Sequence, residues 1–142
     1  MTQRTLAELN RTECLAHMGR RRIGRLVYSD SMGPVAVPVN FALAGEDVVL
    51  RLEPTNTALR LAQAMVAFEV DEVDELTGEG WSVVVRGPAE EVDGDDLPTL
   101  LGQLGDSPPR PWAEGVHNVW LRISTKIVTG RRLGGYATPL VM

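Results

Sequence analysis

The stretch that most limits how this chain can fold is Gly33 to Leu52, GPVAVPVNFALAGEDVVLRL. Two apolar runs flank the turn-forming cluster Ala44-Gly45-Glu46-Asp47, and the second, Asp47 to Leu52, is rich in Val and Leu. Such runs on either side of a short Gly-containing segment predict a β-hairpin. Pro38 lies inside the first run and has no N–H to give a ladder, so an edge or a bulge is expected there. Asn40 then sets an amide in an otherwise apolar run. The Pro-Val-Asn break is a place where backbone groups can be left open to a ligand.

Upstream, Asn10 to Met18 reads as a helix. Asn10 can cap it, with Glu13 reaching back as in a capping box, and Gly19 is the C-cap candidate. Leu9, Leu15 and Met18 give a narrow apolar stripe. Cys14 is expected to pack as a small hydrophobe, and His17 to act as a cation in the last helical turn. Arg20-Arg21-Arg22 reads as a solvated basic loop, with an anion contact as the sharper alternative. Ile23 to Ser29 is a strand with Ile23, Arg25 and Val27 on one face and Gly24, Leu26 and Tyr28 on the other, followed by a turn over Asp30 to Pro34.

After the hairpin, Thr55, Asn56 and Thr57 are all good N-caps for a helix over Ala58 to Ala64. Arg51 at the strand end is therefore followed closely by hydroxyls and helix N–H groups, a combination suited to a phosphate. Met65 to Val70 is a strand, and the acidic run Asp71 to Glu75 reads as a solvated face entering a loop rather than a metal site. Trp81 to Val92 is the longest strand, with a bulge or kink expected at Gly87-Pro88. Trp81 and Ser82 at its start suit core, interface or ligand wall. Asp93 to Leu104 is a helix with Leu97, Leu100, Leu101 and Leu104 at helical spacing. Gly105 to Gly115 is a Pro-rich loop that Trp112 would lock to the body. Strands follow over Asn118 to Ile123 and Lys126 to Arg132, with His117 a poor metal ligand at the first one's entrance. The tail 134–142 is either frayed or packed on a partner.

The count is six or seven mostly sequential strands and two or three short helices. That pattern predicts a mostly β, α+β domain: an antiparallel barrel with helices at its ends. A length of 142 residues suits one domain, 1–142. A net charge of −5 argues against a nucleic-acid surface. No apolar run approaches the roughly 20 residues of a membrane span. The N-terminus lacks a secretory h-region, and the single Cys14 excludes an intramolecular disulfide, so a cytoplasmic setting is expected. There is no Ser-His-Asp signature, Cys/His metal spacing, Walker sequence or strand-borne GxGxxG, so no metal site is expected and catalytic residues are not assignable. Chemistry would have to come from a bound cofactor.

Several segments in order, ECLAHMGRRRIGRLVYS, VAVPVNFAL, VVLRLEPTNTALRLA, VAFEVDEVD, GEGWSVVVRGPAEEV and KIVTGRRL, span Glu13 to Leu133. As a set they resemble the FMN-binding split-barrel family related to pyridoxamine 5′-phosphate oxidase, in its small actinobacterial branch. The resemblance implies a six-stranded antiparallel split barrel acting as a homodimer, with a flavin (FMN) or a deazaflavin in each of two interface grooves, and a small-molecule substrate. It also implies roles for residues. Pro38, Val39, Asn40 and Phe41 would border the isoalloxazine ring. Arg51 would contact the phosphate, with Thr55, Asn56 and Thr57 lining that pocket. Trp81 and Ser82 would lie near the cofactor across the interface, and Gly130 and Arg131 close to the ring or phosphate.

The sequence departs from the family at one place. Leu52 stands where relatives commonly have Thr, and EPTNTAL lacks a Lys before Leu59. One phosphate partner is missing, and Arg60 or one of Arg20 to Arg22 is available to compensate. Three readings follow: a flavin-dependent oxidoreductase, a flavin- or deazaflavin-binding protein without turnover, and a cofactor-free dimeric domain.

Overall fold

The computed structural model describes residues 3–4, 7–106, 108–109, 118–134 and 136–137. In chain order its elements are β1 (Gln3–Arg4), β2 (Ala7–Leu9), α1 (Arg11–Met18), β3 (Ile23–Asp30), β4 (Gly33–Ala44), β5 (Asp47–Leu52), α2 (Asn56–Leu61), β6 (Met65–Val73), β7 (Gly80–Glu91), α3 (Asp96–Leu104), β8 (Val119–Ile123), β9 (Ile127–Leu133) and β10 (Tyr136–Ala137). The expectations for Trp112, His117 and residues 138–142 lie outside the described residues.

Six of the strands close on themselves. Their order is β7-β6-β3-β4-β5-β8, β8 returns to β7, and every pairing is antiparallel. Strand β9 adds to β7 outside the closure, β2 adds to β9, and β1 pairs with β10. This is a mostly β barrel with short helices, as the sequence pattern predicts, and its six-stranded closure is the split barrel that the family resemblance implies.

Closure rests on two long strands that change partners. Residues 33–40 of β4 pair with β3, whereas residues 41–44 pair with β5. Strand β7 pairs with β6 over residues 80–88, while on its other side residues 80–86 pair with β9 and residues 89–91 pair with β8. Gly87-Pro88 falls between these two pairings. No bulge interrupts the register with β6 there, so the expected kink is instead the point of partner exchange.

Pro38 sits at an edge, as anticipated. The Phe41 N–H donates to the Arg22 carbonyl (2.9 Å). Antiparallel alternation then turns Val39, Val37 and Val35 toward β3 and the backbone of Asn40, Pro38, Ala36 and Pro34 away from it. No described strand pairs with residues 33–40 on that outer side. Two prolines there remove two of the donors that would invite strand addition.

The hydrophobic alternation places the core. Leu26, Val39, Phe41, Val48, Leu50, Phe68, Val70, Val83, Val85 and Leu121 point inward, with Phe41 and Phe68 edge to face at 4.9 Å and 66°. A second cluster on the outside joins Ala44, Val49 and Val92 to Leu100 and Leu104 of α3. Leu101, expected on the same stripe, is 40% exposed.

Helix α1 has the anticipated capping box: Asn10 Oδ1 accepts from the Glu13 N–H (2.8 Å), and the Asn10 N–H donates to Glu13 Oε1 (3.0 Å). Gly19 ends it with φ −63°, so the left-handed freedom of glycine is not used there. Arg11 ties α1 to the hairpin, donating to Glu46 (2.8 Å), to Thr125 Oγ1 (3.0 Å) and to the Thr125 carbonyl. His17 lies against Trp81, ring centroids 4.7 Å apart and planes at 25°, rather than only closing the helix end.

Candidate functional site

The outer face of the β4–β5 pair carries the first group of candidates. On β5, Val48 and Leu50 point into the barrel, so Arg51 points out and is half-buried. Its register partner on β8 is Trp120, and its guanidinium carbon stands 5.3 Å from that ring's centroid. In the amide orientation that satisfies both groups, Asn118 Oδ1 accepts from Arg51 Nε (3.1 Å) and Nη2 (2.8 Å). The guanidinium is therefore held by a ring on one side and an amide on the other, with further N–H donors available to a ligand.

On β4, Asn40 and Pro38 also face outward, whereas Val39 and Phe41 are buried in the barrel core. The predicted quartet thus divides by alternation into two outward side chains and two core side chains. Asn40 and Arg51 each lie one step beyond the terminal Phe41–Leu50 pair, so continuing that register sets them on the same face. Of the three possible N-caps, Thr55 caps α2, its Oγ1 accepting from the Ala58 N–H at 3.1 Å. Thr57 is half-buried within α2. The Asn56 side chain is outside what the structure describes.

The second group sits elsewhere. Trp81 is buried in the core under His17, while Ser82 faces outward. Gly130 faces Cys14. A Cβ on it would come within 2.6 Å of Cys14 Sγ and 3.1 Å of the Ser82 carbonyl oxygen, so glycine is needed for α1 to pack on β9. Arg131 is exposed and pairs in register with Ser82. Arg131 pairs with Ser82, Ser82 with Asp71, and Ile23 with Asn40; continuing the β3–β6 register two residues beyond Arg25–Glu69 joins them in one lateral row on the outer face. Four strand spacings separate Arg131 from Asn40, roughly 19 Å. One protomer does not bring the two groups together.

The same face carries a carboxylate pair. Arg25 Nη1 is 3.4 Å from both Glu69 Oε1 and Asp71 Oδ2. Burial, followed by the hydrogen bond and negative charge of Asp71, pushes the Glu69 carboxyl up to about 7 against the opposing pull of Arg25. Burial first, then the nearby Glu13 charge, pushes the Cys14 thiol up, which disfavours the reactive thiolate.

Sequence reasoning missed Asn118 and Trp120. No local signal marks them, because they reach Arg51 through a β5–β8 pairing some seventy positions away in the chain.

The description Pyridoxamine 5′-phosphate oxidase belongs to the family model that matches residues 10–132. Among known proteins, the chain is similar to an uncharacterized protein of Mycobacterium tuberculosis, 31% identical over 136 residues that cover 92% of this chain and 87% of the relative. Among solved structures, it is similar to the FAD binding protein from Mycobacterium smegmatis, with 28% identity and a TM-score of 0.72, covering 91% of this chain and 98% of that one. It is also similar to a FAD-binding protein from Mesorhizobium loti, with 26% identity and a TM-score of 0.70, covering 94% of this chain and 100% of that one.

Proposed function

The chain belongs to the pyridoxamine 5′-phosphate oxidase family, and from that premise we propose that it is a flavin-binding oxidoreductase whose cofactor lies along the outer face of β4 and β5. The observation that carries this reading is Arg51, half-buried and oriented by Asn118 and Trp120 beside a stretch of β4 whose outer edge pairs with no described strand. That arrangement fits a flavin nucleotide. The guanidinium suits a phosphate, and the outward N–H of Ala36 and carbonyl of Pro38 suit the polar edge of a planar ring.

When bound, the flavin would supply two-electron redox chemistry. The chain's own part is to bind and orient. Arg51 fixes the phosphate end, the β4 edge sets the position of the ring, and the prolines leave that edge free of competing strands. The relatives that bind FAD support a flavin over a cofactor-free domain.

The reading extends to a second copy of the chain. Ser82 and Arg131 lie too far from Asn40 to share a ring-sized ligand within one protomer, so a homodimer would bring them to the groove of the partner. The outer face of β3, β6, β7 and β9 is available for that contact. Ile23, Met65 and Ile127 on it are 49%, 69% and 51% exposed.

The test is the visible absorption of the purified protein before and after incubation with FMN or FAD and gel filtration. Retained flavin bands that bleach with a reduced nicotinamide support an oxidoreductase. Retained bands without turnover leave a flavin-binding protein. A chain that retains neither flavin overturns the proposal.

A further inference from the structure

A cleft of about 730 Å³ opens beside Asn40, on the side away from Arg51. It lies where the β3–β4 pairing stops at Ile23–Asn40 and β4 runs on toward the hairpin turn with only β5 paired to it. Its floor is residues 40–43 of β4, one wall is the loop that follows α1, and the other is Leu104 with Pro108 and Pro109. Its size is that of a small-molecule site, which typically spans about 300–1,000 Å³.

The charge of this cleft is opposite to that of the chain. The protein carries a net charge of −5, yet Arg20, Arg21 and Arg22 all line the cleft and, among the described residues, no Asp or Glu does. Arg21 is 3.5 Å from Glu72. Arg20 and Arg22 have no carboxylate within ion-pair distance among the described residues. The C-terminus of α1 accounts for part of this, since a helix end carries about half a negative charge that favours one nearby cation. It does not call for three.

The backbone supplies a further donor. Because the Phe41 N–H bonds to Arg22, the β4–β5 ladder uses Ala42 and Ala44, and the Leu43 N–H is directed away from β5 into the cleft. Three arginines and a main-chain N–H thus line one cleft together with Leu43 and Leu104.

We infer that this cleft is an anion subsite, in which Arg20, Arg22 and the Leu43 N–H hold a phosphoryl group borne on a flat or apolar body. Two sources share that chemistry. One is the adenylate half of a dinucleotide flavin anchored at Arg51, which rests on the function proposed above. The other is a separate phosphorylated substrate.

The experiment uses ADP as the probe on the full chain, followed by FMN and FAD. Titration calorimetry would compare the wild type, the Arg20→Ala/Arg22→Ala double variant, and Arg122→Ala as a control whose guanidinium lies on the far side of β5. The wild type and control are expected to bind ADP, and the double variant roughly tenfold to a hundredfold more weakly, the loss expected for one charge-assisted contact. Tighter binding of FAD than FMN, lost in the double variant, assigns the site to the cofactor. Equal binding of FAD and FMN, with ADP affinity still lost in the double variant, assigns it to a separate ligand. ADP that binds the double variant as tightly as the wild type, or binds neither, overturns the inference. Because the ADP arm needs no flavin, the subsite stands or falls separately from the cofactor reading.

Discussion

A guanidinium already held between an amide and an indole loses less freedom when a ligand arrives than one on a mobile surface chain. On this ground Arg51 is the residue whose loss flavin binding should feel most. Arg51→Ala is expected to weaken flavin affinity by about 1.5–3 kcal/mol, the range for a hydrogen bond to a charged group, while the fold persists. Unchanged affinity in a fluorescence titration would take Arg51 out of the phosphate site. Gly130 has a structural task, since the gap it leaves is filled by Cys14 Sγ. Gly130→Ala should cost about 1–3 kcal/mol of stability through overpacking. Adding Cys14→Ala should restore part of that loss, and a double variant no more stable than Gly130→Ala in urea melts would refute the contact.

At the scale of elements, alternation along β6 puts Val66, Phe68 and Val70 in the core and Glu69 and Asp71 on the opposite face beside Arg25. The folded Glu69 keeps its proton to about pH 7, whereas an unfolded glutamate releases it near 4.5. Between those values the folded state binds more protons, so this group makes stability fall as pH rises through the window and then level off. Glu69→Gln removes that loss. Its melting temperature relative to wild type is expected to be higher at pH 8 than at pH 5, and an equal difference at the two pH values would show that Glu69 titrates normally. The two partner-exchanging strands belong to this scale as well. Their breaks, after Asn40 in β4 and at Gly87-Pro88 in β7, let one sheet close into a barrel and still leave edges.

For the whole molecule, the outer face of β9, β7, β6 and β3 mixes exposed Ile127, Met65 and Ile23 with Arg25, Glu69, Asp71 and Arg131. An uncovered face of that composition, together with two candidate groups four strands apart, is what a two-fold assembly would use. Light scattering is expected to give twice the 15.5 kDa chain mass, and Met65→Arg/Ile127→Arg to shift it toward the single chain. A wild-type protein at 15.5 kDa would remove the second copy from the site.

Local physics was enough to write down much of this protein in advance. The capping box of α1, the hairpin with Gly45 at its turn (φ 61°), the faces of β3 and β6, and an edge at Pro38 all follow from interactions within a few residues. The proposal of Arg51 as an anion ligand also rests on a short-range pattern, a cation at a strand end beside a capped helix. Other features were set only when distant strands met. The β5–β8 pairing brought Asn118 and Trp120 to Arg51. The packing of α1 buried Trp81 and gave Gly130 its purpose. The end of β3 turned a basic loop into the wall of a cleft. Period and capping specify which way a side chain points, but what it meets there depends on strand order, and strand order is a property of the closed barrel.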